Sequence, residues 1–112
     1  MSRHDEQICL RDMLDHAGEA VELLGDSSKE DLGNNRMMQL ALTRLLEIIG
    51  EAAKRVSANT KQKNADIPWN QIIGMRNRLI HGYDIIDYGL LWDTVNFDLP
   101  PLIQSLQKII KD

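Results

Sequence analysis

The chain has 112 residues, of which 43% are apolar and 27% charged, the balance of a single soluble-type globular domain rather than a disordered segment. Its net charge of −4 and pI near 5.3 exclude a broad basic face for coating nucleic acid, though not a local basic cleft. Aromatics at 4% argue against a base-stacking sheet. No apolar run is long enough for a membrane span, and the opening "MSRHDEQICLRDM" has no signal-peptide core, so a cytoplasmic location without membrane attachment is expected. One cysteine, Cys9, permits neither an internal disulfide nor a cysteine zinc site.

Leu10, Leu14, Ala17, Val21 and Leu24 recur at spacings of four and three, which puts them on one stripe of a first helix ending at Gly25. "SSKE", Ser27 to Glu30, reads as a capping box that opens a short turn. "GNN", Gly33 to Asn35, interrupts that turn, and either asparagine suits the cap of the next helix. That helix is long, with Met38, Leu42, Leu45, Leu46, Ile49, Ala52, Ala53 and Val56 on a wide apolar face. Gly50 lies inside it at a propensity cost of about 1 kcal/mol, which fits either a close approach or a tolerated weakness.

"SANTKQKNADIP", Ser57 to Pro68, reads as the longest polar loop, and Pro68 suits the start of a helix near Trp69. That helix carries Ile72, Ile73, Met75, Leu79 and Ile80 and should run to Gly82. The last helical stretch carries Leu91, Val95, Leu99, Leu102, Leu106 and Ile110, and Pro100 and Pro101 should kink it. No alternating strand pattern is present. The expected fold is all-α, an up-and-down four-helix bundle spanning residues 1–112 as one domain.

"MRNRLIHGYD", Met75 to Asp84, stands apart from this pattern. Wound at about 100° per residue, Arg76 falls near the middle of the apolar arc and Arg78 on the wet face. Asn77 and His81, four apart, stack along the arc's margin. A guanidinium on an apolar face needs a partner or a polar cleft. One reading pairs Arg76 structurally with Glu51 or Asp84. His81 alone reads rather as a C-terminal helix cap, and Tyr83 as a packed ring. The other reading joins them. Arginine stabilises a pentacoordinate phosphate through its fork of donors, and histidine moves a proton at neutral pH. That pair suffices to cleave RNA through its own 2′-hydroxyl with no metal or other cofactor.

The segment "RNRLIHGY", an Arg-x4-His-x-Tyr pattern, resembles the HEPN superfamily, and within it the HepT-like toxins of type VII toxin–antitoxin pairs. "LLEIIGEAAKRVS", "IPWNQIIGMRNRLIHGYDIID" and "LWDTVNFDLPPL", in this order, extend the resemblance over most of the chain. It implies an all-α homodimer whose cleft is lined by both copies of the motif, with metal-independent endoribonuclease activity on RNA. It implies Arg76 and His81 as the catalytic pair and Asn77 as a supporting polar group. It also implies a partner, a MntA-like nucleotidyltransferase antitoxin, that attaches AMP to Tyr83 and silences the nuclease.

Glu51 is the expected carboxylate beside Arg76. Lys54, Arg55, Lys61 and Lys63 read as a solvated helix end and loop, or as a flank for RNA phosphates. Asp12 and His16, four apart, are two potential metal ligands without a third, so no metal site is expected. Cys9 reads as packing. Two other functions compete with the nuclease: a non-catalytic helical subunit binding nucleotide or partner for a minimal nucleotidyltransferase, and a structural dimer with Arg76 as a bridge.

Overall fold

The computed structural model of the chain describes residues 2–110, and it is all-α apart from a two-residue ladder. The first helix, α1 (Arg3–Leu24), starts where the Ser2 hydroxyl accepts the Asp5 N–H at 3.1 Å. It stops at Gly25, as the apolar stripe predicts, with Leu10, Met13, Ala17 and Leu24 fully buried.

The short α2 (Lys29–Gly33) has a capping box, but its members are Ser28 and Asp31 rather than Ser27 and Glu30. Ser27 is already committed: its N–H closes the turn after α1 on the Leu24 carbonyl, and its own carbonyl accepts the Trp92 indole N–H at 2.9 Å. Of the two candidate asparagines, Asn35 caps α3 (Arg36–Lys54) by accepting the Met38 N–H.

The polar loop holds a helix that its composition does not announce, α4 (Ala58–Lys63). It buries no residue, so it has no apolar stripe to read. Its start is instead held from α1. The Glu6 carboxylate accepts the Ser57 N–H and the Thr60 hydroxyl, both at 2.8 Å.

The next segment begins at Trp69 as expected but is divided into α5 (Trp69–Ile73) and α6 (Met75–Leu79) by Gly74. It ends at Leu79, three residues before the expected stop. The Leu79 carbonyl accepts the Asp87 N–H at 2.8 Å, and the chain turns into a hairpin of β1 (Ile80–His81) and β2 (Ile85–Ile86). The strands are antiparallel, with Ile80 opposite Ile86 and His81 opposite Ile85. Gly82 makes the turn rather than ending a helix: its φ is +67°, a conformation costly for a residue with a Cβ.

The last segment comprises α7 (Tyr88–Asp93), a π-helical turn (Thr94–Asp98) and α8 (Leu99–Ile109). The irregularity is where Pro100 and Pro101 predict it. Neither proline can donate to the carbonyl four residues back, and the Leu99 N–H bonds Thr94, five back. The prolines then occupy the first turn of α8, where a missing N–H costs least.

These segments form the four members of the bundle. α1 lies along α3 and α8, while α3 carries α5 and α6. Leu42, Leu46, Ile49, Leu79, Leu91 and Leu106 fill the space between them at no more than 1% exposure. Burial of each such side chain is worth about 1.5–3 kcal/mol. Gly50 lets α5 seat directly on α3, because a Cβ there would stand 3.0 Å from the Ile72 carbonyl oxygen. That contact fixes the height at which the following turn, α6, presents Arg76.

Candidate active site

Arg76 lies on α6, and its side chain is 51% exposed rather than in the middle of a buried arc. The buried arc is narrower than the sequence suggests. Ile72, Met75 and Leu79 are its centre, while Ile73 and Ile80 are only half-buried. Arg76 therefore stands on the rim of the apolar face, where its stem packs and its head reaches water.

Its partner is a carboxylate, but neither of the two expected. The Nε group of Arg76 pairs with Oε2 of Glu47, on α3 one turn before Glu51. Glu51 sits 3.7 Å from Arg44, and Asp84 sits 3.3 Å from Arg36. Arg44 also holds the second oxygen of Glu47. Arg44, Glu47, Glu51 and Arg76 thus form one network across α3 and α6. Glu51 still borders the site. It lines, with Glu47, Gly50, Lys54, Arg76 and Asn77, a cavity of about 150 Å³ between α3 and the α5–α6 segment. Its wall supplies a polar mouth over an apolar floor of Leu46, Ile72 and Ile73.

His81 is not on the helix, so it does not stack on Asn77. It occupies β1, with its ring 62% exposed and Nε2 at 4.0 Å from Oδ2 of Asp87. The other oxygen of Asp87 caps α7 by accepting the Leu90 N–H at 3.0 Å. Tyr83 stands at the tip of the hairpin, fully exposed. The hairpin is tied down at both sides of that tip, by the Arg36–Asp84 pair and by the Asp87–Leu79 backbone bond. Within one chain, then, Arg76 and Asn77 share the cavity against α3, and His81 and Tyr83 belong to the adjoining hairpin, outside that lining.

A further group of exposed apolar side chains lies on the same elements. Met37 and Leu40 of α3 are 80% and 50% exposed, and Ile85 of the hairpin 66%. The Arg36–Asp84 pair joins the start of α3 to the hairpin that carries Ile85. The sequence marked Met38, which is half-buried, and passed over Met37.

The remaining candidates fall outside this region. His16 contacts its own helix through the Asp12 carbonyl at 2.7 Å. No group of three metal-binding side chains occurs among the described residues. Cys9 is buried. Of the basic run, Lys54 lines the cavity, whereas Lys61 stands over the Trp69 ring at 6.0 Å.

The all-α bundle is consistent with the HEPN superfamily. The chain belongs to the family described as Ribonuclease HepT-like, whose model matches residues 13–109. It is 37% identical over 107 residues to "Putative RNase MJ1380" of Methanocaldococcus jannaschii, covering 96% of this chain and 98% of that one. It is also 37% identical over 105 residues to "Probable ribonuclease HepT" of Thermococcus cleftensis, covering 90% and 96% of the two chains. A second M. jannaschii protein, "Putative RNase MJ0125", is 34% identical over 112 residues, covering 100% and 97%. No solved structure matches the chain significantly.

Proposed function

We propose that this chain is the toxin of a toxin–antitoxin pair, an endoribonuclease that cuts RNA without a metal ion, with Arg76 and His81 as its catalytic pair. The observation that carries the reading is membership of the HepT-like family together with a solvent-accessible Arg76, His81 and Tyr83 on adjoining elements. In this mechanism neutral His81 takes the proton of a ribose 2′-hydroxyl. The resulting oxygen attacks the adjacent phosphorus, and Arg76 stabilises the charge on the pentacoordinate phosphorane. A proton is delivered to the departing 5′-oxygen, leaving a 2′,3′-cyclic phosphate and a 5′-hydroxyl. The chain works as a homodimer, in which the histidine of the second copy, protonated as imidazolium, supplies that proton and is left neutral. The exposed Met37, Leu40 and Ile85, on the two elements that the Arg36–Asp84 pair joins, support such pairing, since exposed large apolar side chains favour a protein partner. Asn77 and Glu51, on the cavity wall, support the bound phosphate and the cation network.

The off-switch is AMP attached to the hydroxyl of Tyr83 by a partner nucleotidyltransferase of the MntA type. Full exposure at a hairpin tip makes that hydroxyl accessible to another enzyme's active site. The added phosphate, two residues from His81, repels RNA phosphates and competes for Arg76. The test is expression without the partner. Wild type should arrest growth, and Arg76→Ala and His81→Ala should not. Incubation with the nucleotidyltransferase and ATP should add mass in AMP steps to wild type and not to Tyr83→Phe. Harmless wild type would argue against the toxin assignment, and a mass gain surviving Tyr83→Phe would remove Tyr83 as acceptor.

A further inference from the structure

We infer that Glu47 is the positioning residue of the site: its carboxylate aims the Arg76 guanidinium at the phosphate. The inference rests on the ribonuclease reading above. Arg76 needs such a device. It stands on a five-residue helix next to a glycine break, with half of its side chain in water. A long side chain in that setting samples many rotamers, and catalysis by charge stabilisation requires one.

The geometry of the pair is selective. The approach in the pair is between Glu47 Oε2 and Nε, the donor nearest the chain. Among the described residues, Glu47 is the ion-pair partner of Arg76, and the contact is at the chain end of the guanidinium. The end of the guanidinium fork therefore stays available for two parallel hydrogen bonds to a phosphate, the strongest arrangement arginine makes. Arg76 also lines the cavity between α3 and α5–α6, so a bound phosphate has space beside it.

Glu47 is itself well placed to hold an orientation. It lies in the middle of a 19-residue helix, and its side chain is only 26% exposed. Its second oxygen is taken by Arg44. A carboxylate bonded on both oxygens is fixed in rotation, and a neighbouring cation offsets its repulsion of phosphate. Arg44 in turn is steadied by Glu51 at 3.7 Å. The two arginines and two glutamates balance in charge, and Lys54 on the cavity wall adds the surplus cation that draws in RNA.

The test compares Glu47→Ala and Glu47→Gln with wild type on a short RNA, alone and in an Arg76→Ala background. Loss of orientation should lower cleavage by Glu47→Ala on the order of 10²-fold, the effect of misplacing a catalytic group by about an ångström. The loss should fall in kcat rather than in KM. Glu47→Gln keeps an oxygen to accept Nε–H and should recover most of it. In the Arg76→Ala background Glu47→Ala should cause no further loss, because the residue it positions is gone. An NMR signal from the Arg76 Nε–H, protected from exchange in wild type, should vanish in Glu47→Ala and persist in Glu47→Gln.

If Glu47→Ala is as active as wild type, or more active, the carboxylate is at most a mask on Arg76 and the inference is overturned. Additive loss in the double variant assigns Glu47 to folding alone and also overturns it. Wild type that leaves RNA uncut removes the ribonuclease reading itself, and this one with it.

Discussion

Gly50→Ala tests how the site is supported. The new methyl would stand 3.0 Å from the Ile72 carbonyl oxygen, 3.5 Å from that of Ile73 and 3.7 Å from the Ile73 Cα. All three are backbone atoms of α5, so none can swing aside as a side-chain end would. Two terms oppose each other. Alanine in a helix interior gains about 1 kcal/mol over glycine. Overpacking against an unyielding neighbour costs about 1–3 kcal/mol, and backbone opposition places this site at the upper part of that range. The net expectation is a loss of about 1 kcal/mol, a fall in Tm of about 4 °C for a chain of this size. Gly18→Ala is the internal control. It lies in α1 with nothing within 4 Å of its Cβ position, so only the propensity gain operates and Tm should rise. Thermal unfolding followed by circular dichroism, at one protein concentration, measures both. If Gly50→Ala raises Tm as Gly18→Ala does, α5 is not seated on α3 at this point, and the account of how Arg76 is held in place is wrong.

Other consequences follow from the same structure. Leu79→Ala removes a fully buried side chain at the base of the hairpin and should cost about 2–5 kcal/mol in denaturant unfolding. Gly82→Ala meets no neighbour within 4 Å, so its cost is conformational, about 1 kcal/mol, and should appear as a less protected hairpin in hydrogen exchange. Hydrogen bonds from Ser57, with Thr60 assisting, hold the Glu6 carboxyl below its ordinary value of 4.5. A depressed carboxylate contributes stability above its unfolded pKa and loses it as pH falls through the folded one. Wild type should therefore lose stability relative to Glu6→Gln as pH drops below about 4.5, by less than about 1 kcal/mol because the group is only partly buried and stays in reach of solvent. Equal pH dependence in the two proteins would show that the clamp on α4 contributes nothing.

The bundle was legible because each long member carries its own apolar stripe. Leu10 to Leu24 and Leu42 to Val56 are periodic over several turns, and the proline pair marks the irregularity in the last segment. What the stripes could not show is structure made by backbone and polar bonds. α4 buries nothing and depends on Glu6, some fifty residues away in sequence. The hairpin depends on the Leu79 carbonyl meeting the Asp87 N–H, while Ile80, its first strand residue, continues the helical apolar pattern. Extending the helix to Gly82 put His81 on a helix margin, whereas it lies on a strand. For Arg76, counting Ile73 and Ile80 as core widened the arc until it enclosed a residue that stands on its rim. Arg76, Asn77, His81 and Tyr83 could be singled out by residue type and spacing. Glu47 could not, because a glutamate on a long charged helix face carries no signal until the neighbouring helix is in place.

Incubating purified protein with RNA in excess chelator and identifying the product ends decides whether Arg76 and His81 form a metal-independent ribonuclease site. Internal cleavage should leave a 2′,3′-cyclic phosphate and a 5′-hydroxyl, and should fall on the order of 10³-fold in Arg76→Ala and in His81→Ala while both variants keep wild-type unfolding curves. RNA left intact by wild type, or cut equally by the two variants, would contradict that assignment.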